Sequence, residues 1–235
     1  MLKIAVIGCG KIADSHIEQI RAIGCGDVVA VCDREPLMAE QLAQRWSVPG
    51  IHTDALEMLQ RVRPDVVHIA TPPDSHVALA TMALEHGCHV FVEKPFALTA
   101  ADAAVILDAA ARAGKRVSVN YLYNFETPAL ELQQLLDGGR IGRVVHLESN
   151  YGYNLAGDYG VAVLSDPEHW VHRLPGKLFH NVLDHVLAKV APHVGDDFTL
   201  QATAFRLRPD SGNPVLDAMS DELRFIVKGA NGVTA

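Results

Sequence analysis

Residues 4–33 restrict the possible folds more than any other part of the sequence. An apolar run at 4–7 leads into the turn Gly-Cys-Gly-Lys-Ile-Ala at 8–13, and a second apolar run at 28–32 stops at Asp33. A strand, a glycine turn, a helix and a second strand that ends on an acid form the unit that binds dinucleotides. We therefore predict a dinucleotide-binding domain at the start of the chain.

Each position of the turn has a chemical reason. Gly8 allows a bend that a side chain would block, and Gly10 lets the backbone approach a pyrophosphate. Ala13 is small enough for the helix to pack closely on the strand. Lys11 and Ile12 begin the helix, whose N-terminal N–H groups and positive dipole end suit phosphates. A tight turn with no ligand is the alternative interpretation.

The residue pair at 33–34 bears on the choice of cofactor. The Asp33 carboxylate can accept hydrogen bonds from both ribose hydroxyls and would repel a 2′-phosphate, which favours NAD over NADP. The guanidinium of Arg34 could instead pair with a 2′-phosphate, so NADP stays open as the alternative.

The order of elements predicts an α/β fold followed by a different kind of domain. Strands and helices alternate up to Asn120, as in a doubly wound parallel sheet. We predict a Rossmann domain over 1–120 and an α+β substrate-binding or oligomerisation domain with an open, mainly antiparallel sheet over 121–235. Among the predicted elements are helices at 36–46, 55–62, 74–86, 99–113 and 178–190, a strand at 143–150 and an exposed loop at 151–170.

The second domain is predicted to be thin. Its long strands, 198–207 and 222–228, would leave sheet edges and an apolar face open. Either further strands of this sheet are missing, or a partner chain covers its open edges and apolar face. We therefore expect a homo-oligomer or a piece of a longer protein.

Composition narrows the partners. The net charge of −8 argues against nucleic acid or an anionic membrane. No uncharged apolar run could span a bilayer, and a strand that starts at residue 2 leaves no room for a signal peptide. The four cysteines lack zinc or disulfide spacing, which favours a reducing, cytoplasmic location. Histidines at 169, 172 and 180 lack the ligands that would complete a metal motif, so we predict no metal.

Two later strand ends carry distinctive residues. Ala-Thr-Pro-Pro at 70–73 is followed by His76, and the next strand ends in Val-Glu-Lys-Pro at 92–95. Ligands of an open parallel sheet bind beyond the carboxyl ends of its strands, so these segments are expected to flank the nicotinamide half of the cofactor. The predicted cofactor residues here are Thr71, Pro72, His76, Glu93 and Lys94. A rigid turn at 71–73 and a surface lysine at 94 are the structural alternatives.

The second domain offers an acid/base candidate. Asn181 and His185 are four residues apart and would share one helix face. A histidine can move a hydroxyl proton at neutral pH, and a lysine can hold the oxygen while hydride leaves the carbon. A lone helix histidine is more often structural. Aromatic residues Tyr151, Tyr153, Tyr159 and Trp170 are expected either to line a sugar-binding loop or to pack as ordinary loop residues.

Taken together, these motifs resemble the glucose-fructose oxidoreductase, inositol dehydrogenase and MocA family. The resemblance rests on the glycine turn, the Thr-Pro-Pro segment with its histidine, Glu-Lys-Pro, and the helix with His185. It implies that Lys94 is catalytic, that His185 is the acid/base, and that Tyr123, Asn124 and Asn181 lie near substrate. Asn181 stands where the family often has aspartate, and Asn124 where many members have arginine.

Three functions follow as hypotheses. The leading one is an NAD(P)-dependent oxidoreductase acting on a hydroxyl of a sugar, cyclitol or related small molecule. The alternatives are an NAD-dependent glycoside hydrolase of the same family and a non-catalytic nucleotide or sugar sensor.

Overall fold

The apolar runs of residues 1–120 become six parallel strands interleaved with five α-helices. The computed structural model describes residues 1–152, 154–155, 157–210 and 212–235. The strands are β1 Leu2–Ile7, β2 Gly26–Cys32, β3 Gly50–His52, β4 Val66–Ile69, β5 His89–Val92 and β6 Val117–Val119. The helices are α1 Lys11–Ile23, α2 Pro36–Trp46, α3 Ala55–Val62, α4 His76–Glu85 and α5 Ala100–Ala113.

The sheet has the order β3-β2-β1-β4-β5-β6, and all of its strand pairs are parallel. The chain therefore reverses its direction of growth between β1 and β4, where nucleotides bind in doubly wound sheets. Helices cover both faces. In β1, Ile4 and Val6 belong to the core formed with α1 and α2, whereas Ala5 and Ile7 belong to the core formed with α3, α4 and α5. The predicted doubly wound fold is confirmed.

The helix predicted over 74–86 begins later. Pro73–Ser75 form a 3-10 turn, and α4 starts at His76. Pro72 and Pro73 have no N–H and a fixed φ, which favours a separate tight turn before the helix.

Tyr121–Ala235 form the second of two compact units, the first being Met1–Asn120. Its strands, β7 Phe198–Phe205 and β8 Glu222–Gly229, make an antiparallel pair. Its helices are α6 Thr127–Asp137, α7 Asp158–Ser165, α8 Lys177–Val182, α9 Asp184–Val194 and α10 Pro214–Asp217, with 3-10 turns at Leu122–Asn124 and Trp170–Arg173. Every residue of β7 is exposed.

Three predictions in this unit are wrong. No strand forms over 143–150; His146 makes one isolated bridge to Thr234, which also pairs with Lys228, so the C-terminal residues take the place beside β8. The stretch 151–170 contains a helix, α7, whose Val163 is fully buried in a small core. The helix predicted over 178–190 is two helices separated at Leu183.

None of the helices in the described residues has both the length and the apolar character needed to cross a membrane.

Candidate functional site

The glycine turn follows β1 at the point where the sheet reverses. Gly8 has φ +93°, and its N–H donates to the carbonyl of Cys32 at the end of β2, 2.8 Å away. A Cβ on Gly8 would lie 2.7 Å from the carbonyl carbon of Ala70, beyond the end of β4. Only glycine fits a turn held this closely between two neighbouring strand ends.

Gly10 has a different environment. It is the N-cap of α1 with φ −73°, and it supplies no side-chain cap. A Cβ built on it would have no atom within 4 Å, so the space beside it is open. The N–H groups of the first turn of α1, where Lys11 and Ile12 are exposed, therefore lie next to open space that a ligand could occupy. Ala13 is fully buried against the sheet.

Asp33 lies beside this turn. Its Oδ2 accepts the backbone N–H of Cys9 at 2.7 Å, and its Oδ1 accepts that of Glu35 at 3.0 Å. The carboxylate therefore orients the glycine turn in addition to its predicted role at the ribose. Burial, with the nearby Asp33 charge, raises the pKa of the Cys9 thiol to about 12, so this thiol stays protonated and unreactive. Arg34 is exposed.

His76, a predicted cofactor residue, is fully buried. Its Nδ1 lies 3.0 Å from the carbonyl of Pro95, and its Nε2 lies 2.9 Å from the carbonyl of Thr71. It therefore joins the loop after β4 to the loop after β5. Pro72 is exposed, and the Thr71 hydroxyl is hydrogen-bonded to that of Ser75 at 2.6 Å.

Glu93 and Lys94 follow β5. Glu93 is buried, and its Oε1 accepts hydrogen bonds from His16 Nε2 at 2.9 Å and Asn120 Nδ2 at 2.6 Å. Its Oε2 accepts the backbone N–H of Lys94 at 3.2 Å. The partners of Glu93 were not predicted from the sequence. The available signal was a histidine on the apolar face of α1, four residues before Ile20 and one before Ile17.

In the second unit His185 is buried near the start of α9. Its ring centroid lies 4.8 Å from that of Tyr123 and 5.3 Å from that of Tyr151. Lys189, one turn further along α9, places its Nζ 4.8 Å from the Tyr123 ring centroid. The predicted acid/base thus lies beside two tyrosines, one of which also contacts the ammonium group of Lys189.

Asn181 and His185 lie on separate helices, since α8 ends before Leu183. Asn181 is buried, and its Nδ2 donates to the hydroxyl of Tyr159 at 2.9 Å. Asn124 donates through Nδ2 to the carbonyl of Ala188 in α9, at 3.1 Å.

The aromatic residues predicted to line one loop lie in different surroundings. Tyr151 lies next to His185, whereas Tyr159 and Trp170 pack against the small core that contains Val163. Tyr153 lies outside the described residues. Among the histidines, cysteines and carboxylates that the structure describes, no group of three is arranged to hold a metal ion.

Similarity to known proteins was found for the first half of the chain and for the whole fold. A family model described as an oxidoreductase family with an NAD-binding Rossmann fold matches residues 2–121. D-glucoside 3-dehydrogenase of Escherichia coli K12 is 33% identical over 144 residues, which are 61% of this chain and 41% of that protein. Inositol 2-dehydrogenase 2 of Saccharopolyspora erythraea is 31% identical over 157 residues, 65% of this chain and 46% of that protein. The chain thus spans less than half of the length of these relatives.

Two solved structures show the same fold over nearly the whole chain. An oxidoreductase from Agrobacterium radiobacter in complex with NAD+, L-tartaric acid and magnesium has a TM-score of 0.82 and 25% identity, covering 99% of this chain and 64% of that one. The scyllo-inositol dehydrogenase of Lactobacillus casei has a TM-score of 0.83 and 21% identity, covering 100% and 68%. With a family model matching more than half of its residues, this chain belongs to the glucose-fructose oxidoreductase, inositol dehydrogenase and MocA family of NAD-binding Rossmann oxidoreductases.

Proposed function

We propose that this chain binds NAD and carries out hydride transfer to or from a hydroxyl-bearing carbon of a sugar or cyclitol. The observation that carries the proposal is that one unit combines the open glycine turn, the adjacent Asp33 and the Glu93–Lys94 strand end. The relatives described above are named as dehydrogenases of a glucoside and of inositol, which supports a dehydrogenase over the hydrolase and sensor alternatives.

The fit of the first unit to a dinucleotide rests on two glycines. Gly8 holds the turn against the neighbouring strand, and Gly10 leaves open the space that a pyrophosphate needs. Asp33 would accept hydrogen bonds from the adenosine ribose, and its charge favours NAD over NADP. Arg34 is the residue that would allow NADP.

The reaction requires a group that holds the substrate oxygen and a group that exchanges its proton. NAD, when bound, supplies the hydride acceptor or donor. We assign the first role to Lys94, whose ammonium can stabilise negative charge that develops on the oxygen. We assign the second to His185.

The surroundings of His185 suit a polyol. Tyr123 and Tyr151 present aromatic rings next to it, and such rings pack well on sugar C–H surfaces. Asn124 and Asn181 are the other proposed substrate residues, and their hydrogen bonds to Ala188 and Tyr159 would fix both side chains before a substrate binds.

We further propose that the protein acts as a cytoplasmic homo-oligomer without nucleic-acid partners. The support is the fully exposed strand β7, the net charge of −8, and the buried free thiols of Cys9, Cys32 and Cys88.

Absorbance at 340 nm tests the proposed activity with NAD and a panel of sugars and cyclitols. We expect net NADH formation with at least one polyol. Lys94→Ala should abolish turnover while NAD affinity, measured by titration calorimetry, changes less than threefold, because the affinity comes mainly from the glycine turn and Asp33. Lys115→Ala in the same unit is the matched control and should keep both properties. Glycoside cleavage without net NADH would instead identify a hydrolase, and NAD binding with neither activity would identify a sensor.

A further inference from the structure

A row of polar side chains runs through the interior of the first unit and ends at Glu93. His68 on β4 and His16 on α1 place their Nδ1 atoms 2.9 Å apart. His16 then reaches Glu93 with its Nε2, 2.9 Å from Oε1. Phe91 closes the row on one side, with ring centroids 4.8 Å from His68 and 5.7 Å from His16. His16 and Glu93 are 6% and 7% exposed, so both side chains lie away from bulk water.

The charge of Glu93 follows from its partners. Burial by itself would raise the pKa of this carboxyl, but the hydrogen bonds from His16 and Asn120, together with the nearby positive charge of Lys94, bring it below its ordinary value. Glu93 is therefore a carboxylate at neutral pH. A carboxylate only accepts hydrogen bonds, so the Nε2 of His16 must carry a hydrogen.

The hydrogen on Nε2 determines which nitrogen donates and which accepts between His16 and His68. In a neutral His16 ring the Nδ1 then has no hydrogen and must accept one, and among the described residues the partner within reach is the Nδ1 of His68. Burial, and secondly the neighbouring His16, lowers the pKa of His68 to about 3, so this ring is neutral at physiological pH. With a neutral His16, the direction of donation is from His68 to His16 to Glu93.

Beyond Glu93, the row of hydrogen bonds reaches the backbone N–H of Lys94, the proposed catalytic lysine. The second oxygen of Glu93 accepts the N–H of Lys94 at 3.2 Å, while Asn120 at the end of β6 holds the first. Rotation of the Glu93 carboxylate would break its bonds to His16, Asn120 and Lys94 together.

We propose that His16 and His68 are positioning residues for Lys94: His16 holds the Glu93 carboxylate that anchors the Lys94 backbone, and His68 donates to the Nδ1 of His16 and so fixes the orientation of its ring. Neither histidine touches a substrate or the cofactor in this proposal. The effect on catalysis rests on the proposed function of Lys94, whereas the hydrogen-bond row itself does not.

The tautomers can be measured without a substrate. Long-range 1H–15N spectra of the 15N-labelled full chain should show hydrogen on Nε2 of His16 and on Nδ1 of His68. In His68→Phe, which keeps an aromatic ring beside Phe91, Nε2 of His16 should keep its hydrogen, while the 15N resonance of its Nδ1 should move toward that of a nitrogen that accepts no hydrogen bond. Hydrogen on Nδ1 of His16 in the wild-type protein would overturn the proposal.

The anchoring of Lys94 can also be measured without activity. In His16→Leu the Lys94 amide should exchange with solvent at least about tenfold faster, whereas His16→Gln, whose amide can still donate to Glu93, should restore most of the protection. His86→Gln is the control, because the His86 ring, at the C-cap of α4, is hydrogen-bonded to the carbonyl of Met82 and takes no part in the row. Unchanged exchange at Lys94 in a folded His16→Leu would refute the link. If His16→Leu does not fold, the proposal is tested by the exchange rate of the Lys94 amide in His16→Gln and by the histidine tautomers of the wild-type protein.

Kinetics then connect the row to the reaction. We expect His16→Leu to lower kcat by about tenfold or more, as loss of a supporting hydrogen bond commonly does, with the NAD dissociation constant and the substrate KM within threefold of wild type. His16→Gln should recover kcat. No turnover in the wild-type protein would contradict the proposed function and leave the spectra and the exchange rates as the test of the row. A normal kcat in folded His16→Leu would contradict the positioning role alone.

Discussion

Alanine substitution is expected to affect the two glycines of the nucleotide turn differently: it should lower the stability of the fold at Gly8 and the affinity for NAD at Gly10. At Gly8 an alanine must adopt φ +93°, at a cost of about 1–3 kcal/mol. Its Cβ would also lie 2.7 Å from a backbone carbon of Ala70, well inside the ordinary contact distance of about 3.5–4.0 Å. Relief of that overlap adds about 1–3 kcal/mol. Gly8→Ala should therefore lower the free energy of unfolding by about 2–6 kcal/mol, a large part of the roughly 5–15 kcal/mol of a typical domain.

At Gly10 the same substitution should cost the fold almost nothing. The backbone at φ −73° is open to alanine, and the new Cβ meets no atom within 4 Å. The gain of about 0.4–1 kcal/mol from a less flexible unfolded chain roughly offsets the weaker N-cap. The methyl group would instead fill space that we assign to the pyrophosphate, so NAD binding should weaken at least tenfold, or about 1.4 kcal/mol.

Urea unfolding followed by the fluorescence of Trp46 measures the stability of the first unit. The chain has two tryptophans, so Trp170→Phe serves as the common background. Titration calorimetry gives the NAD affinity of the folded variants. A Gly10→Ala protein that binds NAD as tightly as its parent would refute the assignment of the open space to the pyrophosphate. A Gly8→Ala protein of parental stability would refute the steric reasoning.

Further predictions concern specificity, pH and assembly. Calorimetry should show tighter binding of NAD than of NADP, and Asp33→Asn should narrow that difference; equal or tighter NADP binding by the native protein would exclude the assigned role of this carboxylate. Because burial lowers the pKa of His68 to about 3 from 6.5, the unfolded chain binds this proton at higher pH than the folded one, so stability should be full above pH 6.5 and decline toward pH 3. His68→Phe should flatten that decline in urea titrations, and an unchanged slope would show that His68 does not contribute. Sedimentation at micromolar concentration should show an oligomer, since β7 exposes Phe198, Leu200 and Phe205; a well-behaved monomer would contradict the proposed assembly.

Local signals determined much of the first unit. The helix over 36–46 and the helix over 55–62 occur where the sequence predicts them, and α5 begins after Thr99, whose hydroxyl accepts the N–H of Asp102 at 3.1 Å. Continuous apolar runs predicted buried parallel strands because both faces of such a sheet are covered. These features depend on neighbours within a few residues, which is why one sequence is sufficient to predict them.

The tertiary structure decided what depends on distant partners. Alternating residues at 143–150 are compatible with a strand, but a strand also needs a free neighbouring backbone, and here the C-terminal residues take that place beside β8. The periodicity of 178–190 likewise does not reveal the break at Leu183.

The same limit applies to the site. The turn at 8–13, Asp33 and Lys94 are recognisable in the sequence because their spacing reflects local backbone requirements. One partner of Glu93 is His16, 77 residues away, and one of the aromatic rings beside His185 belongs to Tyr123 in a separate 3-10 turn. The sequence by itself predicted which residues would carry the proposed chemistry of this protein. Only the folded chain determined which side chains hold them in place, because hydrogen bonds and packing between distant segments form when the sheet and helices come together.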